Sequence, residues 1–149
     1  MSDCVSCAVV RGLESAEVHR SSSGGVYRKI RDLPASVAIL GHDQFYRGYT
    51  VVIAKTHATE LYHLNDGELA QYLADMVRVA RAIDQAFHPR KMNYECLGNT
   101  VAHLHWHLFP RYADDPTPKR PIWEHTHRPP ALSDADAAAT IAAIRRHLE

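Results

Sequence analysis

The densest chemistry in this 149-residue chain lies in five consecutive residues, His103-Leu104-His105-Trp106-His107. Along a strand, successive side chains point to opposite faces, so His103, His105 and His107 share one face and Leu104, Trp106 and Leu108 the other. A rise of about 3.3 Å per residue sets the three imidazoles roughly 6–7 Å apart. Imidazole is the side chain best suited to proton transfer, metal ligation and nucleophilic attack near neutral pH. Massing three of them costs free energy unless they are solvated or satisfied, which disfavours a chance surface stripe. Two chemistries fit. Two of the histidines could chelate a metal directly, or one could attack a phosphorus atom while its neighbours bind the phosphoryl oxygens. The flanks favour phosphorus. Gly98-Asn99-Thr100 offers a glycine turn, an amide and a hydroxyl suited to phosphate, and no acidic residue in the strand completes a carboxylate-bearing metal set.

A second group stands at the other end of the chain. Cys4-Val5-Ser6-Cys7 is a Cys-x-x-Cys pair whose spacing suits one zinc ion. No thioredoxin-like βαβ pattern surrounds it, so a redox role is disfavoured. Cys96 reads as a small, partly buried thiol. His19, His42, His63, His88, His125, His127 and His147 are scattered and read mostly as solvated surface residues. Arg111, directly after Pro110, either faces the phosphates or is an ordinary surface arginine. Trp123 should pack against the body or a partner.

The elements that must position these groups follow from periodicity. Residues 1–34 are mixed, with a flexible turn at Ser21-Ser22-Ser23-Gly24-Gly25. Ser36–Leu40 and Tyr49–Ala54 are β-rich runs joined by a loop with glycine at each end, which reads as an antiparallel pair. Asn65 and Glu68 form a capping box for a helix. Its stripe is Leu69, Tyr72, Leu73, Met76, Ala80, Ile83 and Phe87, and His88-Pro89 ends it. Two further strands are expected around Met92–Leu97 and Val101–Phe109. After a proline-rich, charged tail, Ser133 caps a last helix with Ala137, Ile141, Ile144 and Leu148 on one face. The order β-β-α-β-β-α predicts an α+β fold: an antiparallel sheet of about five strands, one long helix and a C-terminal helix.

The run His103-Leu104-His105-Trp106-His107-Leu108-Phe109 resembles the signature of the histidine triad (HIT) family, His-φ-His-φ-His-φ-φ with φ apolar, at all seven positions. Gly48 to His57 is similar to the family's strand ending in a Lys-x-His turn. The likeness is good over roughly residues 35–111. It implies a single HIT domain over 1–149: an N-terminal segment 1–34 carrying the cysteine pair, a core 35–111, and a tail and helix 112–149. It further implies a nucleotide-binding hydrolase or transferase in which His105 attacks an α-phosphate. His107 then contacts the phosphoryl oxygens and assists the leaving group, and Asn99 and Thr100 hold the phosphate. Asn93 bridges phosphate and ribose, and Asp43 is the candidate ribose acid. Relatives with an N-terminal cysteine pair complete a structural zinc site at positions that are here His57 and His103, which with Cys4 and Cys7 makes four ligands. A homodimer joined sheet edge to edge is the expected assembly. Two positions depart from the family pattern: Asn99 stands where many members have glutamine, and Tyr49 where many have histidine.

The bulk numbers agree. Seventeen basic side chains balance seventeen acidic ones, so no global field favours nucleic acid or an anionic membrane. Three cysteines are too few for a disulfide framework, and neither a signal peptide nor an apolar span is visible. The expectation is a cytoplasmic enzyme with no organic cofactor, acting on a purine nucleotide derivative, either a dinucleoside polyphosphate or a nucleoside phosphoramidate. The alternatives are a nucleotide-binding module without turnover and a metalloenzyme with the triad as ligands.

Overall fold

A computed structural model describes residues 4–149. Six antiparallel strands form one sheet in the order β1-β2-β3-β4-β6-β5. They are β1 (Val18–Arg20), β2 (Val26–Asp32), β3 (Ser36–Leu40), β4 (Thr50–Ala54), β5 (Lys91–Glu95) and β6 (His105–Arg111). Helices α1 (Val5–Leu13), α2 (Asp66–Phe87) and α3 (Asp134–Arg145) cover it. The α+β reading holds, with one strand more than expected.

The expected pair is β3 and β4, matched from Ser36 opposite Ala54 to Leu40 opposite Thr50. All five β3 residues are buried, as the apolar run Val37 to Leu40 requires when both faces of its sheet are covered. Helices α2 and α3 seal one face with a core that includes Val52, Tyr72, Val79, Ile83, Leu108 and Ile144. Helix α1 packs Val9, Val10 and Leu13 on the other, against Val37, Ile39 and Ile53. The capping box of α2 is present, Asn65 accepting from the Glu68 N–H and Glu68 from the Asn65 N–H. Asp75 in that helix is buried and accepts from the Ala35 N–H and the Ser36 hydroxyl, pinning α2 to the start of β3.

Two expectations need correction. The first 34 residues carry α1, β1 and β2, and Ser21–Gly25 is the hairpin turn between the two strands, closed by Ser21 N–H to the Gly25 carbonyl. The triad strand begins at His105 rather than Val101. His103 donates its N–H back to the Val101 carbonyl in a turn, and Leu104 bonds to Ala58 and Ala54 before regular pairing starts. The three histidines therefore do not form one regular strand face. His103 precedes the strand, and only His105 and His107 stand on it.

Candidate active site

On β6, His105 and His107 share a face with Phe109 and Arg111, and their rings lie 4.8 Å apart at 74°. Nδ1 of His105 is 2.6 Å from the His103 carbonyl. A carbonyl only accepts, so Nδ1 carries the proton and Nε2 keeps its lone pair. Nδ1 of His107 lies 2.7 Å from the Tyr49 hydroxyl. Burial, reinforced by the fields of His105 and His42, drives the His107 pKa down to about 4, so this ring is neutral at pH 7.

Two cavities flank this histidine pair, and both are lined by His105 and His107. The first, about 300 Å³, is mostly apolar; Val9 of α1, Tyr27, Ile39, Val51 and Ile53 line it, with His42 at the exposed side. The second, about 370 Å³, is bounded by Leu97 to Val101 and by Trp123. Asn99 and Thr100 therefore border the same space as His105 and His107. Trp123 packs edge-on against His107 and donates its indole N–H to Glu95. Its place at the site had no signal in the sequence beyond a lone tryptophan in an irregular tail. A larger cavity, about 700 Å³, lies between β1, β2 and α3, and no histidine lines it. Of the charges that line it, Arg28 pairs with Asp134, and Lys29 and Arg145 with Glu17.

Asn93 and Asp43 border neither histidine-lined cavity. The Asn93 carboxamide accepts from Arg111 at 2.6 Å, and Asp43 accepts from His127 at 2.8 Å. Arg111 borders neither histidine-lined cavity and is not on the surface. It is 5% exposed and binds Asp115, Asn93 and the carbonyls of Thr117 and Arg120, which ties the tail to the sheet. His125 and His127 are likewise half-buried, stacked on each other 4.7 Å apart and packed on Phe45. His42, His63, His88 and His147 are exposed as read. Cys96 is partly buried, and burial pushes its thiol up.

At the opposite end of the triad, four donors converge. Cys4, Cys7, His57 and His103 offer ligand atoms all within 4.8 Å of one another. The two Nδ1 atoms are 3.1 Å apart; Cys7 Sγ stands 3.3 Å from that of His57 and 3.5 Å from that of His103, and Cys4 Sγ 3.4 Å from that of His103. Nε2 of His103 donates to the Ala54 carbonyl at 2.8 Å, which turns the Nδ1 lone pair into the cluster. Zinc bonds of about 2.0–2.1 Å to nitrogen and 2.3 Å to sulfur imply tetrahedral edges of about 3.3–3.8 Å, close to the spacing found here. Among the described residues this is the one such donor group, and it takes only His103 from the triad.

A six-stranded antiparallel sheet with a histidine pair between two cavities defines an α+β protein of the histidine triad type. The HIT domain family profile matches residues 27–114, and the chain belongs to that family. Protein hit of Bacillus subtilis is 31% identical over 116 residues, covering 74% of this chain and 72% of that protein. A histidine triad protein from Bradyrhizobium japonicum superposes with a TM-score of 0.73 at 28% identity, over 83% of this chain and 91% of its own. A zinc-bound histidine triad family protein from Mycobacterium smegmatis gives 0.68 at 27% identity, over 99% of this chain and 94% of its own.

Proposed function

We propose that this chain is a nucleotidyl hydrolase or transferase acting at the α-phosphate of a purine nucleotide derivative, through a covalent intermediate on His105. The observation that carries the reading is the 2.6 Å bond from His105 Nδ1 to the His103 carbonyl. It fixes the ring with Nε2 unprotonated, so attack forms a nitrogen–phosphorus bond without a prior proton transfer. As the ring becomes cationic, its Nδ1–H keeps the same carbonyl as partner, a dipole already in place for the developing charge. The phosphorus–oxygen or phosphorus–nitrogen bond to the leaving group breaks in this step, the leaving oxygen or nitrogen taking any proton it needs from solvent, and His107 donates a hydrogen bond to the phosphoryl oxygen or to the leaving atom. Water or another acceptor then attacks the nucleotidyl group and releases His105.

The apolar cavity takes the base and ribose, and the cavity at Asn99, Thr100 and Trp123 takes the phosphates and leaving group. Asn93 and Asp43 stand outside both cavities and support the site from behind, Asn93 within the Arg111 knot and Asp43 by holding His127. Both the N-terminal segment and the tail line these cavities, which supports one HIT unit spanning the whole chain. Cys4, Cys7, His57 and His103 would hold a zinc ion, which when bound ties α1 to the segment leading into the triad strand. Strand β5 leaves one edge of the sheet open beside exposed Tyr94 and Leu97, the edge on which a second copy would pair.

The test pairs an adenosine phosphoramidate with a diadenosine polyphosphate and their guanosine counterparts, following product release and intact mass together. Turnover or a nucleotidyl adduct should appear in the wild type. His105→Ala should lower kcat at least about a thousandfold and abolish the adduct. Binding of all four compounds with neither turnover nor adduct would sink the catalytic reading and leave a nucleotide-binding module.

A further inference from the structure

Tyr49 occupies a place that its backbone neighbours prepare. It precedes β4 at the position opposite Gly41, whose N–H bonds to the Tyr49 carbonyl at 2.9 Å. The Tyr49 ring lies over that glycine so closely that a Cβ at position 41 would fall 2.2 Å from a ring carbon. Phe109 stacks on the Tyr49 ring with centroids 4.0 Å apart at 13°. The side chain is 4% exposed, and packing leaves its hydroxyl aimed at one polar atom, His107 Nδ1 at 2.7 Å.

Hydrogen bonds can be drawn there in two ways. If Nδ1–H donated to the phenol oxygen, the phenol hydrogen would be buried without a partner, since among the described residues the Tyr49 hydroxyl makes no other bond. Such an orphan costs about 1–3 kcal/mol. If the phenol donates, both groups are satisfied and Nδ1 is the acceptor. Burial first, then the carboxylates of Asp43 and Glu95, push the phenol far above neutral, so its proton is always present to donate.

We propose that Tyr49 is a positioning residue that locks His107 as the Nε2–H tautomer, so that this ring presents a hydrogen-bond donor to the substrate. His105 and His107 are thereby held in opposite tautomers. The His103 carbonyl takes the Nδ1 proton of one and exposes a lone pair at Nε2. The Tyr49 hydroxyl fills Nδ1 of the other and leaves a proton at Nε2. A nucleophile and a donor are set side by side from the same residue type, by one acceptor and one donor placed behind them. The assignment of a donor role to His107 rests on the catalytic reading above; the tautomer itself does not.

Nitrogen-15 long-range correlation spectra of the intact protein at pH 7 decide the matter, with His107→Gln identifying the signals. Wild type should show a protonated Nε2 and an unprotonated Nδ1 on His107, and the reverse pattern on His105. Tyr49→Phe should mix the His107 tautomers and raise the pH at which that ring takes up a second proton. On the best substrate its kcat should fall about tenfold with KM changed less than about twofold. A wild-type His107 protonated at Nδ1 overturns the proposal, whatever Tyr49→Phe does or whether it folds. So does a folded Tyr49→Phe with an unchanged tautomer and unchanged kcat. Absence of turnover in a wild type with the expected tautomers would instead count against the catalytic reading alone.

Discussion

The triad is anchored differently at its two ends. Before His105, the chain is gathered by Cys4, Cys7, His57 and His103, four donors whose lone pairs point at one another. After His107, it is gathered by Arg111, a cation that brings its own charge to Asp115 and to the oxygens of Asn93, Thr117 and Arg120. The second knot is complete as the chain folds. The first is a set of Lewis bases that attract one another only through a shared proton or cation, so its strength is borrowed from an ion. One end of the site can thus be released by chemistry in the solvent, whereas the other yields only to mutation or strong acid. The cavities between them inherit both properties, because α1 lines one and Trp123 the other.

The largest effect should come from breaking the self-contained end. Arg111→Met keeps the stem and removes the guanidinium, leaving the Asp115 carboxylate against buried surface with no cation. A buried pair broken on one side costs about 3–5 kcal/mol. Chemical denaturation should register that loss, and hydrogen exchange should place it in residues 112–124. The carbonyls of Thr117 and Arg120 lose their donor too, so Trp123 leaves His107 and activity falls with stability. A loss below about 1 kcal/mol would mean that Arg111 merely decorates the tail.

Breaking the borrowed end should have a smaller, reversible effect confined to the opposite side. Metal analysis of the purified protein should find about one zinc per chain, and Cys4→Ser with Cys7→Ser should remove it. At a free ion concentration of about a hundred times Kd, binding contributes about 2.7 kcal/mol, which a chelator should abolish and added zinc restore. Faster exchange should appear in α1 and around His57 while residues 112–124 stay protected. Stability unmoved by chelator, with no metal in the protein, would show that the four donors hold α1 by packing and hydrogen bonds alone.

The same contrast explains what the sequence made legible. Helix α2 announced itself because a 22-residue element with a capping box carries its own boundary signals. Strand β3 did so because four consecutive apolar residues, Val37 to Leu40, have little alternative to burial. Helix α1 did not: its nine residues include three valines, which are indifferent helix formers, and its N-cap Cys4 makes no side-chain capping bond. In β2 only Ile30 is fully buried, and a register shift between Lys29 and Arg31 breaks the alternation that would reveal it. The chemical residues were readable at the triad, where type and spacing coincide. Convergence of Cys4 and Cys7 with His57 and His103 came from the resemblance, because sequence separations of 96 and 99 residues carry no local signal. Arg111 was opaque for a further reason. Its partners Asp115 and Thr117 are close in sequence, but only the tail's return over β5 and β6 buries them together.

Acid should separate the histidine pair from the tail knot, with the smallest effect of the three. The His107 pKa is depressed to about 4 from 6.5, so the unfolded chain binds a proton there more readily than the folded one. The corresponding stability is fully present above pH 6.5 and is lost as the pH falls toward 4. That interval corresponds to about 3 kcal/mol at full burial. The ring is half-open to the cavities, and solvent screening reduces the figure to about 1–2 kcal/mol. Burial alone would raise the Asp115 carboxyl, but the Arg111 hydrogen bond, with the Thr117 N–H and the Arg111 charge, carries it below the usual carboxylate range. Its contribution is therefore intact down to about pH 4 and disappears only below it. Denaturation measured from pH 7 to 3 on zinc-free protein should show a steeper first loss in wild type than in His107→Gln, which keeps the share of His103, a buried ring whose pKa desolvation also lowers. Both proteins should share the later one, which Arg111→Met should lack. If His107→Gln lost stability between pH 6.5 and 4 as steeply as wild type, the acid limb would belong to other groups, and the neutral state of His107 would contribute nothing to folding.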